Sequence, residues 1–145
     1  MDRPYERVYT VNDYWDRPRA GFADVDGQPH AYRSIWREDL DDWDPDNRFL
    51  LQPVSSELLA LAREAWEIWL RWVKAYEADP SVGPTHPAIP ADRVRHAELA
   101  PVIARALEID PSGTRIAVGD FRKRDSESIR SMSRSELEVR WIPVE

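Results

Sequence analysis

Residues 64–72 carry the sequence EAWEIWLRW, in which tryptophan recurs at every third position. On a helix with 3.6 residues per turn, this spacing places Trp66, Trp69 and Trp72 near one another. Apolar residues continue at spacings of three and four across positions 58–76, which predicts a long helix with two adjoining apolar stripes. A helix this apolar must be covered on two sides, by a sheet and by another helix or subunit. The tryptophans therefore indicate a core or an interface.

The ends of this helix are marked by local signals. Pro53 ends the preceding segment, and Ser55 or Ser56 can cap the first turn. Glu57 then lies near the positive end of the helix dipole. We predict that the helix runs to about Ala78, just before an Asp-Pro pair.

A second helical region follows a proline-rich linker. Residues 79–90 contain four prolines, and we expect them to cross the surface without regular structure. Residues 91–109 then show a helical pattern that is interrupted at Pro101. This proline either kinks the helix or opens a separate one from its first position.

Strands are predicted on both sides of the helices. Asp26-Gly27 suits a tight hairpin turn, and Pro29 lacks a backbone donor, which favours an edge position. The order of strands, helices and strands predicts one α+β domain over residues 1–145, with a mainly antiparallel sheet of about five or six strands. We expect the Trp-rich helix and the proline-interrupted region to pack on one face of this sheet. The predicted strands are residues 5–11, 20–36, 48–52, 115–121 and 137–142.

Composition and charge exclude several classes of protein. The chain is 42% hydrophobic and 32% charged, as folded globular proteins are, and it has no cysteine for disulfides or thiol chemistry. Its net charge is −7, and residues 1–60 hold 13 acids against 7 bases. Arg122, Lys123 and Arg124 form the only tight basic cluster, so we do not expect nucleic-acid binding. Residues 123–135, rich in Ser and Arg, are expected to be mobile.

No membrane association is expected from the hydropathy pattern. The first residues lack an apolar signal region, and the longest apolar run, from Leu58 to Ala62, is far too short to span a bilayer. These features favour a cytoplasmic location.

The segment 12–19 is the first candidate binding site, because it joins carboxylates, arginines and aromatic rings between predicted strands. Asp13 or Asp16 can serve as a general base or ligand, Arg19 can bind an anion, and Tyr14 lies between them. We expect His30, beyond the hairpin turn, to join them. The structural alternative is that Asp16 caps a turn, Arg19 makes an internal ion pair and Trp15 packs.

An acidic loop follows the hairpin. Asp41, Asp42, Asp44 and Asp46 lie in it and form a candidate surface for a basic partner. The last three resemble the opening of a calcium loop, but the glycine and the bidentate glutamate that such a loop requires are replaced by asparagine and proline. We therefore predict no calcium site.

Histidine offers one further possibility. Asp92 and His96 are four residues apart on the predicted helix, and His86 lies in the proline linker. Convergence of the three would form a metal-binding set, whereas a helix ion pair between Asp92 and His96 is the simpler arrangement. We predict neither a metal nor another cofactor, and the sequence leaves their convergence open.

Several of these segments together resemble an uncharacterised family of small bacterial proteins. The resemblance covers nearly the whole chain. No activity accompanies it, so it assigns no catalytic residue. The segments are 11–21 (VNDYWDRPRAG), 27–30 (GQPH), 66–72 (WEIWLRW), 85–87 (THP) and 137–141 (LEVRW).

Two hypotheses about function follow. The sequence has no phosphate loop, dinucleotide fingerprint, zinc signature or nucleophile elbow, which favours a non-enzymatic interaction or modulator protein with an acidic surface. Its expected partners are a basic protein or, through the tryptophan helix, a second copy of the chain. The alternative is a small enzyme or ligand-binding domain with its site at residues 12–19.

Overall fold

The computed structural model describes residues 3–123 and 137–144. Strands come first, two helices follow, and two strands complete the order. The predicted mobility of residues 123–135 falls, except for Lys123, outside the described residues. The elements are β1 (Glu6–Tyr14), β2 (Pro18–Val25), β3 (Gln28–Ser34), β4 (Trp36–Arg37), β5 (Asp42–Trp43), β6 (Arg48–Pro53), α1 (Ser56–Ala78), α2 (Arg93–Ala106), β7 (Arg115–Lys123) and β8 (Leu137–Pro143).

Six antiparallel strands close into a barrel in the order β1-β2-β3-β6-β7-β8. The α+β class is confirmed, but the predicted open sheet is wrong. The barrel closes because β1 pairs with β2 on one side and with β8 on the other, where Glu6 lies opposite Val139. Strands β4 and β5 form a separate two-stranded hairpin where a surface loop was expected.

Pro29 does not mark an edge strand, because β3 pairs with β2 and with β6. The position of Pro29 in the pairing of β3 with its two neighbouring strands explains why a proline is tolerated there. It lies opposite Asp24 of β2, and the ladder to β6 begins one residue later, at His30. Its missing N–H is therefore not needed for the ladder to β6.

The barrel interior is filled by aromatic rings. Tyr32, Phe49, Phe121 and Trp141 meet there, with ring centroids 5.4 to 5.9 Å apart. The Tyr32 hydroxyl donates to the backbone oxygen of Thr10 at 2.8 Å, so its polar end is satisfied inside the core. Burial raises the pKa of Tyr32 well above its ordinary value, which keeps this donor protonated.

Helix α1 has the predicted position, and its cap is confirmed. The Ser55 hydroxyl accepts a hydrogen bond from the Leu58 N–H at 3.1 Å. Trp66, Trp69 and Trp72 are only partly buried, whereas the apolar pattern led us to expect buried side chains. Ala62 and Ile68 are the buried residues of the helix. The small side chain of Ala62 lets α1 approach the barrel closely, and the larger indoles lie on its flanks.

Helix α2 continues through Pro101 without breaking into two helices. Pro101 is exposed, whereas Leu99 and Ile103 are buried and anchor the helix. The connection between α1 and α2 is more regular than predicted, because Pro80–Thr85 and Pro90–Asp92 form short 3₁₀ helices.

The filled interior makes Gly119 a sensitive position. A Cβ there would lie 2.8 Å from the Phe49 ring and 2.9 Å from the Trp141 ring. We expect Gly119→Ala to lower the free energy of unfolding by about 1–3 kcal/mol, because packed rings cannot move apart freely. Urea denaturation measures this change. Gly83→Ala is the control, since its nearest neighbour is at 3.6 Å; equal effects of the two substitutions would contradict the account.

Candidate functional site

The predicted loop 12–19 is largely strand. Its first residues end β1, a tight turn follows, and β2 begins at Pro18. Asp16 occupies the turn with a positive φ of 59°. Asp13 is exposed, and Tyr14 is 39% exposed.

Arg19 is committed to internal contacts. It is 4% exposed, and its guanidinium donates to Asp16 Oδ1 at 2.6 Å and to the Ser34 hydroxyl at 3.1 Å. A third bond goes to the backbone oxygen of Trp15, and the group lies 4.6 Å from the centre of the Trp43 ring. Arg19 therefore stabilises the turn, as the structural alternative proposed. Trp15 does not pack as that alternative expected, because it is 70% exposed.

His30 lies towards the other end of β3. It pairs with Ala23, whereas Arg19 bonds to Ser34, four residues further along the strand. That separation corresponds to about 13 Å at 3.3 Å per residue. The buried His30 ring contacts the Gln28 carbonyl at 2.8 Å. Asp13, Asp16, Arg19 and His30 therefore do not converge on one site.

The acidic residues divide into two groups. Asp41, Asp42 and Asp46 are exposed. Asp44 is buried, and its oxygens accept from Arg48 Nε at 2.8 Å, Arg48 Nη2 at 2.9 Å and Arg37 Nη1 at 3.4 Å. The Arg48 guanidinium and, secondarily, the Arg48 backbone N–H and Arg37 lower the pKa of Asp44 to about 2 against the opposing effect of burial. Asp44 holds the hairpin in place and is not part of an exposed acidic surface.

A cavity of about 570 Å³ lies outside the barrel, between β1, α1 and α2. It draws on four separate segments of the chain, which is typical of a binding site. Its lining comprises Val11, Asn12 and Tyr14 of β1, Ala65, Trp66 and Trp69 of α1, His86 and Pro87 of the connection, and His96, Ala100, Ile103, Ala104 and Leu107 of α2.

Aromatic rings form one wall of this cavity. Trp66 and Trp69 stack with centroids 4.8 Å apart and an interplanar angle of 25°. Behind them, Trp72 meets the His86 ring edge to face at 4.5 Å and stacks on Tyr76. The half-buried indoles thus face both protein and cavity, which explains why they are less buried than expected.

Polar groups of the cavity come from β1 and from two histidines. Asn12 Oδ1 accepts from the Thr10 hydroxyl at 2.6 Å, and that hydroxyl accepts from the Phe22 N–H at 3.1 Å. One acceptor position of the Asn12 oxygen is therefore in use, and its N–H groups remain as donors. Asn12 and Tyr14 belong to the predicted candidate segment.

The Asp92–His96 pair is not formed. Arg71 of α1 binds both oxygens of Asp92, at 2.8 and 3.0 Å. His86 and His96 line the same cavity without Asp92. Within residues 3–123 and 137–144, no three His, Cys, Asp or Glu side chains come together as a metal-binding group.

Sequence reasoning missed this cavity although it had singled out several of its residues. The tryptophan spacing predicted an apolar stripe and not which indoles would face a void. The segment 85–87 was noted for its resemblance, and His86 within it as a possible metal ligand, but not as part of an apolar cavity. Its proximity to α1 depends on the course of the connection, for which no local signal exists.

Comparisons with known protein families, with curated proteins and with solved structures found no match. Of the helices in the described part of the chain, none has the length and apolar character needed to cross a membrane. Function therefore has to be argued from the geometry.

The buried Asp44 predicts an acid-dependent loss of stability. Its pKa lies below the unfolded value, so its contribution is full above about pH 4 and is lost as the pH falls towards 2. A shift of this size corresponds to about 2 kcal/mol. Asp44→Asn should lower the free energy of unfolding at pH 7 by about 3 kcal/mol and remove this part of the acid dependence. Urea titrations at several pH values measure both effects.

Asp46→Asn is the matched control, since that side chain is 74% exposed and its nearest Arg48 nitrogen is 3.9 Å away. We expect it to change stability by less than about 0.5 kcal/mol. Identical acid profiles for wild type and Asp44→Asn would show that Asp44 is not stabilised by these arginines.

Proposed function

We propose that this chain is a ligand-binding domain, and that its ligand is a small, ring-bearing and largely apolar molecule held in the cavity between β1, α1 and α2. The observation that carries the proposal is the cavity itself, walled by the stacked pair Trp66 and Trp69. Its volume of about 570 Å³ falls within the range of small-molecule sites.

The chemistry of the walls supports a ring-bearing ligand. Indole faces attract other aromatic rings in stacked or edge-on arrangements and remove a large area from water. The remaining lining is mostly aliphatic, with Val11, Ile103 and Leu107 among its members. In the described residues, the aromatic rings of the barrel interior contact one another directly.

The arrangement favours binding over catalysis. His86 and His96 are the imidazoles in the cavity, and within the described residues neither is oriented by a carboxylate. A histidine that acts as a catalytic base usually has such a partner. The proposal thus develops the ligand-binding alternative and moves its site from residues 12–19 to the cavity that Asn12 and Tyr14 border.

A substitution that fills the cavity tests this proposal. Ala104 lines the cavity and is exposed at its rim, so Ala104→Phe should fill space without disturbing the core. We expect the wild type to bind the neutral probe N-phenyl-1-naphthylamine with a rise in probe fluorescence. The variant should bind it at least about tenfold more weakly, a difference of 1.4 kcal/mol.

Val94→Phe is the matched control, because Val94 is a highly exposed residue of the same helix outside the cavity. It should bind the probe as the wild type does. Equal probe affinity in both variants, or no binding to the wild type, would contradict the proposal.

A second candidate function, binding of a basic protein partner, is favoured by a different surface. Trp36 and Leu40 of the β4–β5 hairpin are 43% and 50% exposed, beside the exposed acids Asp41 and Asp42. Exposed apolar side chains within a charged surface are typical of protein interfaces. We propose this hairpin as the contact region for such a partner.

Loss of a specific complex tests the hairpin surface. The double variant Trp36→Ser, Leu40→Ser should lose at least about tenfold in affinity for a basic partner identified by native purification, as loss of interface anchors does. Surface plasmon resonance measures the affinity. Val94→Ser is the control, and an unchanged affinity of the double variant would exclude the hairpin as the contact region.

The homodimer through α1 stays a prediction. Glu67, Arg71 and Lys74 are exposed on that helix, and so is Tyr76. If the dimer forms, sedimentation equilibrium at high protein concentration will show twice the mass of one chain. A single species with the mass of one chain would contradict it.

A further inference from the structure

We propose that the ligand of this cavity is an organic anion, a ring-bearing carboxylate whose oxygens accept hydrogen bonds from Asn12, His86 and His96. This inference rests on the proposed function and adds the charge and polarity of the ligand to it. It depends on three observations. Hydrogen-bond donors line the cavity, Asp92 and Glu64 are paired with arginines, and the lining contains no acidic side chain.

Neighbouring groups fix the orientation of the Asn12 amide, which is the hydrogen-bond donor on the β1 side of the cavity. The Thr10 hydroxyl accepts from the Phe22 N–H, so it donates its own proton to Asn12 Oδ1. The Asn12 amide is thereby oriented with its oxygen towards Thr10. In the described part of the chain, its nitrogen has no acceptor, and it presents N–H groups at the cavity.

The two imidazoles contribute further donors. Each neutral imidazole has one N–H, and a protonated one has two. Among residues 3–123 and 137–144, no side-chain hydrogen bond satisfies His86 or His96, although both line the cavity. His86 is held by its ring contact with Trp72 and so is placed without using its nitrogens.

Two ion pairs engage carboxylates of the helical region with arginines. Arg71 binds both oxygens of Asp92, the acid four residues before His96. Arg95 likewise binds both oxygens of Glu64, at 2.5 and 2.8 Å. Asp92 and Glu64 are thus both paired with arginines, and in the described part of the chain no carboxylate is hydrogen-bonded to His96.

The lining contains no aspartate or glutamate. A ligand cation would find no carboxylate in this lining, and its attraction there would come from the indole faces alone. A carboxylate would instead meet several donors, and hydrogen bonds to a charged acceptor are the stronger kind. Its ring would lie against Trp66 and Trp69.

Three ligands with the same ring system test the inference by isothermal titration calorimetry. They are 2-naphthoate, 2-naphthamide and (2-naphthyl)methylammonium, which carry a negative, a neutral and a positive group. We expect 2-naphthoate to bind about tenfold or more tightly than the amide, and the ammonium to bind most weakly. Comparison within the wild-type protein needs no variant to fold.

The variants His96→Gln and His86→Gln then test whether these side chains cause the preference for the carboxylate over the amide. Each should reduce the ratio of carboxylate to amide affinity by about threefold or more while the amide still binds. Arg93→Gln is the control for long-range charge, because it removes a cation from an exposed position of α2 outside the cavity. It should leave the ratio unchanged.

The outcomes separate the two proposals. Equal affinity for carboxylate and amide, both lost in Ala104→Phe, would overturn the anion preference and leave the ligand-binding function standing. Tighter binding of the ammonium would also overturn it. Failure of all three ligands and of N-phenyl-1-naphthylamine would overturn both proposals.

Discussion

The contact among four aromatic rings inside the barrel is the constraint on which the rest of the structure depends. Tyr32, Phe49, Phe121 and Trp141 contact one another, and a Cβ at Gly119 would meet the Phe49 and Trp141 rings at less than 3.0 Å. The cavity between β1, α1 and α2 lies outside this packed interior. Helices α1 and α2 pack on the outside of the barrel. The cavity lies where the packing between the barrel and these two helices is incomplete.

The polar contacts between the helices serve both packing and the site. The ion pairs Arg71–Asp92 and Arg95–Glu64 join α1 to α2 and to the segment just before it, at partly exposed positions where such pairs contribute little to stability. Their larger consequence is local electrostatics. They pair Asp92 and Glu64 with arginines, and the cavity lining contains no aspartate or glutamate.

Local sequence signals predicted much of the fold. The features that were missed depend on contacts between residues far apart in the sequence. Neighbouring residues were enough to predict the turn at Asp26-Gly27, the Ser55 cap and the order of strands and helices along the chain. Closure of the barrel was not, because it depends on pairing between β1 and β8 across most of the chain. The Asp92–His96 pair failed for the same reason, since Arg71 lies on another helix. The tryptophan spacing indicated burial but could not distinguish a core from a cavity wall.

Indole N–H chemical shifts test the central claim most directly, that the cavity outside the barrel is the ligand site. In a ¹H–¹⁵N spectrum of the protein titrated with 2-naphthoate, we expect the Trp66 and Trp69 signals to shift. The signal of Trp141, whose Nε1 donates to the Asp24 carbonyl inside the barrel, should stay in place. Shifts confined to Trp141 or to Trp36 would contradict the account, because the ligand would then lie in the barrel or on the hairpin.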